Sequence, residues 1–173
     1  VREMDRLAIE EYKIPAYTLM KRAGKKAFRA LIEKWPSVQK LIIFCGKGNN
    51  GGDGYVIAGL AKQYGLSAEV FSIGDTAQLV GSAKPAFTFA SDQVVLITAF
   101  NPELKVNYEL KTIIVDSLLG TGISGNVTGA YLAAIQSINS SGLPVMAVDI
   151  PSGLCGDSGN ILGEAVRATL TVS

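Results

Sequence analysis

Three short segments of this sequence gather the side chains that could do chemistry: Gly46-Lys47-Gly48-Asn49-Asn50-Gly51-Gly52-Asp53-Gly54, Val115-Asp116-Ser117-Leu118-Leu119-Gly120-Thr121-Gly122-Ile123-Ser124-Gly125, and Val148-Asp149-Ile150-Pro151-Ser152-Gly153-Leu154. Each follows or continues an apolar run. Asn50, Asp116 and Ser152, if brought together, offer only oxygen ligands with one ionised carboxylate among them, a set that suits a hard cation of low charge better than zinc or copper. Asp149 follows apolar residues and precedes the rigid pair Ile150-Pro151, so it is the carboxylate expected to lose water, to have its pKa raised and to serve in proton transfer. The five glycines of the first segment are expected to adopt positive φ and to let backbone approach a ligand closely, and Gly120 to Gly125 to form a backbone nest for phosphate. A single Asp at a strand end is more often a cap or turn former, but three in parallel, beside glycines and hydroxyls, point to a site.

What is missing narrows the chemistry. The chain has no histidine, which removes the commonest general base, the serine triad and the usual zinc sites and leaves proton transfer to Asp, Glu, Lys, Tyr or Cys. Its two cysteines, Cys45 and Cys155, have neither metal-ligand spacing nor a disulfide framework, and the cytosol is the expected compartment. Sixteen basic against fifteen acidic residues give no electrostatic reason to expect nucleic acid, and no apolar run approaches the ~18 residues needed to span a bilayer. A small-molecule ligand is expected instead.

The glycine segment has three rival readings. An Asn-Gly hairpin turn would be followed by alternating apolar residues, whereas Val56, Ile57, Leu60, Ala61 and Tyr64 recur at helical spacing, with Gly65 placed as a stop. Gly46, Gly48 and Gly51 match G-x-G-x-x-G, yet Asp53 would repel a pyrophosphate held there. No Gly-Lys-Ser or Gly-Lys-Thr follows, so a Walker A loop fails. With Leu41 to Cys45 before it, the unit reads strand, glycine loop, helix, and the amides and dipole at the helix start favour an anion.

The elements that must position these segments alternate along the chain. Strands are expected at 41–45, 68–73, 93–98, 112–118, 144–149 and 168–172, and helices at 54–64, 76–90 and 130–140, with Gly81 and Pro85 interrupting the second of these. Residues 3–35 read as two helical pieces broken near Ile14-Pro15; the second places Leu19, Ala23, Ala27, Ala30 and Leu31 on one side and Lys21, Lys25, Lys26 and Arg29 on a solvated face. Alternation of this kind predicts an α/β fold in which a mostly parallel sheet is covered by helices on both faces. In such a sheet ligands bind beyond the carboxyl ends of the strands, so all three segments should reach one edge. The length suits a single domain of residues 1–173. Because the chain stops inside an expected strand, at Thr169-Leu170-Thr171-Val172-Ser173, we expect it to be the truncated part of a longer polypeptide.

Together, Gly46 to Val56, Val115 to Gly122 and Val148 to Leu154 resemble, in order and spacing, the YjeF N-terminal domain family, the NAD(P)H-hydrate epimerases. The resemblance implies a Rossmann-like domain that interconverts the R and S forms of hydrated NADH and NADPH, so that a companion dehydratase specific for the S form can restore the cofactor. It places substrate contacts on Asn49, Asn50, Gly51, Gly52 and Asp53, on Gly120, Thr121, Gly122, Ile123, Ser124, Gly125 and Asn126, and on Tyr131 and Asp149, and ligands of a potassium ion (K+) on Asn50, Asp116 and Ser152. It also implies a homodimer, and in many bacteria a fusion to an ADP- or ATP-dependent dehydratase, here beyond residue 173. Cys155-Gly156 departs from the acidic or small polar residues expected there, although Asp157 and Gly159 keep the end of that motif. Two other classes stand beside the epimerase: a binding or scaffold domain, since relatives serve in RNA decapping complexes or bind an apolipoprotein, and a redox enzyme using NAD, which the absence of histidine disfavours.

Overall fold

The computed structural model describes residues 14–103 and 111–173. Its elements run α1 (Ala16–Lys34), β1 (Lys40–Cys45), α2 (Asn49–Gln63), β2 (Ser67–Ser72), a 3-10 turn (Thr76–Gln78), α3 (Ala83–Asp92), β3 (Leu96–Ala99), β4 (Thr112–Ser117), α4 (Gly129–Ser140), β5 (Val145–Val148) and β6 (Leu170–Val172). The strands form one sheet in the order β3-β2-β1-β4-β5-β6, and every pairing is parallel. This is the doubly wound, Rossmann-like arrangement, whose crevice opens where the strand order reverses, between β1 and β4. The helical piece expected before Ile14 lies outside the described residues.

Strand β1 shows why the sheet is central. Leu41, Ile42, Ile43, Phe44 and Cys45 are all fully buried. Leu41, Ile43 and Cys45 join a core with α1, α2 and α3, while Ile42 and Phe44 join a second core with Ala134, Ile135 and Ile138 of α4. An unbroken apolar run is the sequence mark of a strand covered on both faces.

Local departures from expectation have identifiable causes. The residues buried on α1 are Met20, Gly24, Ala27, Phe28 and Leu31, one position round from the expected Leu19 and Ala23. Gly24 turns the helix: a Cβ there would sit 2.6 Å from Val56 Cγ1 of α2, so the two helices touch at the glycine. The expected helix 76–90 is a 3-10 turn and then α3, separated by Gly81 at φ +56. Pro85 lies in the first turn of α3, where its missing N–H costs nothing. Strand β3 starts at Leu96 rather than 93, since Val94 at φ +57 breaks the extended backbone.

Candidate active site at the strand tips

Strands β1, β4 and β5 are neighbours, so the three segments leave one edge of the sheet side by side. The first is not a loop. Helix α2 begins at Asn49, so Asn49, Asn50, Gly51 and Gly52 are its first turn and Asp53 follows them, with Gly48 as N-cap in extended backbone. None of Gly46, Gly48, Gly51, Gly52 and Gly54 has positive φ. Four of them are there because other protein atoms come too close. A Cβ on Gly46 would overlap the Leu118 carbonyl oxygen, one on Gly51 would overlap the Gly46 carbonyl oxygen, one on Gly52 would lie 2.5 Å from Met20 Cε, and one on Gly54 would lie 2.7 Å from Cys45 Sγ. The glycines weld α2 to β1, β4 and α1 rather than bending around a ligand.

Between β4 and β5 the tie is polar. Asp116, fully buried at the end of β4, accepts from the Ser152 amide at 2.8 Å (Oδ2), the Ser152 hydroxyl at 2.6 Å (Oδ1) and the Leu118 amide at 3.2 Å. Ser152 Oγ in turn accepts from the Leu119 amide at 2.9 Å. Burial pushes the Asp116 carboxyl up to about 6, against the opposing pull of these hydrogen bonds. The sequence singled out Asp149 as the desolvated carboxylate; the structure gives that place to Asp116, because Asp116 is still paired within β4, opposite Phe44 of β1 and Ala147 of β5, whereas Asp149 stands past the end of β5, half-exposed.

Asp149 is held differently. It takes φ +68, which Asp tolerates better than most residues. Its Oδ2 accepts from the Thr121 amide at 3.1 Å and would lie 2.7 Å from a Cβ on Gly120, with Asn50 Cβ 3.5 Å from the same point. Asn50, Gly120 and Asp149, from three different strand tips, therefore meet within a few ångströms. The Thr121 amide, expected to help form a phosphate nest, is engaged by this carboxylate. Gly122, Ile123, Ser124, Gly125 and Asn126 continue as irregular chain, largely exposed, with only Gly125 among them at positive φ. Tyr131, in the first turns of α4, closes the side: its Oη accepts from the Lys47 amide at 3.4 Å.

Asn50 completes the set. It is buried, and neither its amide oxygen nor its amide nitrogen has a hydrogen-bond partner, an arrangement that costs free energy unless something fills it. Of the oxygen donors grouped with it from the sequence, Asp116 and Ser152 are hydrogen-bonded to each other, while Asn50 stands beside Gly120. Among the described residues no group of three or more His, Cys, Asp or Glu side chains could hold a metal. One carboxylate with neutral oxygens is the kind of donor set that suits a hard cation of low charge. Ser117, which sequence reasoning passed over, is fully buried and donates its hydroxyl to the Asn50 carbonyl. Only its place beside Asp116 at a strand end could have marked it.

A family model described as YjeF-related protein N-terminus matches residues 16–173. This chain belongs to that family. Over its whole length the YjeF-type domain is 45% identical to a bifunctional NAD(P)H-hydrate repair enzyme of Coxiella burnetii, of which it spans 35%. It is 35% identical, again over its whole length, to an NAD(P)H-hydrate epimerase of Limosilactobacillus fermentum and spans 81% of that protein. A Legionella pneumophila NAD(P)H-hydrate epimerase is 32% identical across 94% of the chain and 62% of its own length. The crystal structure of the yeast protein ynu0 superposes with a TM-score of 0.82 over 98% of this chain and 75% of that one, at 21% identity, which supports the fold. Among the described residues no helix is long and apolar enough to cross a membrane.

Proposed function

We propose that this domain is an NAD(P)H-hydrate epimerase, interconverting the R and S forms of hydrated NADH and NADPH. The reading is carried by one observation: the Asp149 carboxylate stands beside Gly120 and Asn50, where the tips of β1, β4 and β5 converge. The names of the relatives support it. In the substrate one ring carbon bears a hydroxyl and is bonded to the ring nitrogen. Asp149 acts as general acid toward that hydroxyl: the leaving oxygen takes a proton from it, the carbon–oxygen bond breaks, water leaves, and the nitrogen lone pair forms a ring iminium. Water then adds to either face while the Asp149 carboxylate takes back a proton. Asn49 to Asp53, Gly120 to Asn126 and Tyr131, carried on or next to the same strand tips, are the residues we assign to positioning the nucleotide. Positioning with one acid–base group can supply on the order of 10² to 10⁴ in rate.

Asn50, Asp116 and Ser152 would hold a potassium ion. Bound there, it would supply positive charge that offsets repulsion between Asp116, Asp53 and the substrate's diphosphate. Potassium should raise the melting temperature over tetramethylammonium at equal ionic strength by about 5 °C, if its concentration is roughly a hundred times its dissociation constant. Asp116→Asn should abolish the difference. Equal melting of the wild-type protein in both salts would remove the ion from the site.

The decisive experiment supplies the R hydrate alone and follows the S hydrate by chromatography, with a dehydratase specific for the S form as a second readout. Conversion no faster than in buffer would leave the domain a scaffold. Functional coupling to such a dehydratase belongs to the same proposal and is supported by the bifunctional relatives.

A further inference from the structure

We propose that Lys47 is the cation that takes a phosphate of the nucleotide, an inference that rests on the epimerase reading. Lys47 stands exposed between β1 and α2, and its amide is tied to Tyr131 Oη. Its side chain does not extend freely into solvent but lies across Gly74 at the tip of β2. A Cβ on Gly74 would overlap Lys47 Cε and lie 2.9 Å from Nζ, so only glycine leaves the stem its path. Gly74 also has φ +83, a second reason for glycine there. Beside it a groove of about 550 Å³ runs along the edge strand β3, from Gly74 and Asp75 at the strand tips to Ser91 and Val94 where α3 ends and β3 begins. That size is within the range of sites for nucleotide-sized molecules.

The charge distribution makes this lysine matter. Asp75, Asp116, Asp149 and Asp157 stand at or beyond the strand tips, and Asp53 lies just past the first turn of α2. Among the described residues Lys47 is the one base in the loops on this edge. Arg167, in the segment that enters β6, belongs to the opposite edge, where its amide bonds Asn139 near the end of α4. No carboxylate among the described residues stands within 4.0 Å of the Lys47 ammonium. Four of the five glycines of the first segment are backed by other protein atoms, and the Thr121 amide is taken by Asp149. A doubly charged diphosphate entering this acidic edge therefore meets Lys47 as its counter-charge. The β2 tip is also where the ribose next to the adenine lies in doubly wound sheets, so the phosphate could equally be the 2′-phosphate of the NADPH form.

Lys47→Met keeps the stem and removes the charge; Lys47→Arg restores the charge. Hydrated NADH and hydrated NADPH are the probes. Lys47→Met should raise KM roughly tenfold with kcat within about twofold, the low end for losing a charged hydrogen bond at an exposed site. Lys47→Arg should recover most of it. An equal rise for both hydrates assigns the contact to the diphosphate, and a rise for hydrated NADPH alone assigns it to the 2′-phosphate. Unchanged KM for both overturns the inference. Wild-type protein that epimerises neither hydrate overturns the functional reading, and this inference with it.

Discussion

Asp149→Asn should slow conversion of the R hydrate by a factor on the order of 10² to 10⁴ while leaving the fold intact, because the substitution removes the proton and almost nothing else. Asn tolerates the left-handed backbone at φ +68 as Asp does. Its amide oxygen can still accept from the Thr121 amide, now at 3.1 Å from Oδ2, and the bonds of the residue's own backbone to Val172 and Ser173 are untouched. The melting temperature should stay within a few degrees of the wild type. Epimer composition read by chromatography against the spontaneous rate is the measurement. Undiminished turnover would take Asp149 out of proton transfer, and the buried Asp116 would become the next group to replace.

The fold could be read from the sequence because its main determinant is local. Leu41 to Cys45 and Ile113 to Val115 are apolar runs too short for helices and too continuous for half-exposed strands, and the helical spacing between strands makes the sheet parallel. The convergence of Asn50, Gly120 and Asp149 was legible for the same reason: parallel strands send their carboxyl ends to one edge. The roles within the site were less so. Whether Asp116 or Asp149 loses water depends on which of them is still paired within its strand, and neither the exact strand end nor the strand order is written in either residue's neighbourhood. Likewise the glycines of the first segment look like those of a ligand loop, since a steric demand from Leu118, some seventy positions away, leaves the same mark as one from a substrate. The path of Lys47 over Gly74 is a product of tertiary contact and had no local sign, and the buried hydroxyl of Ser117 had only its place beside Asp116.

That distinction can be tested at Gly51, where α2 starts. If the glycine serves a ligand, alanine should weaken binding and spare stability; if it serves packing, stability should fall without any ligand present. A Cβ on Gly51 would overlap the Gly46 carbonyl oxygen and lie 2.7 Å from the Gly46 carbonyl carbon and 3.0 Å from its nitrogen. All three are backbone atoms at the end of β1, so no side chain can swing away and relieve the contact. Alanine's better helix propensity returns only about 1 kcal/mol, against an overpacking cost of about 3 kcal/mol or more when backbone must shift. Gly51→Ala should therefore lower the melting temperature by roughly 5 °C or more in the absence of any nucleotide. Gly48→Ser is the control three residues earlier: a side chain there meets nothing within 4 Å, the backbone is extended, and a serine at the N-cap can accept from an amide of the first turn. It should hold or raise the melting temperature. Unchanged melting of Gly51→Ala would mean that β1 and α2 can part without cost, and the close seating of Asn50 against Gly120 and Asp149 would lose its physical basis.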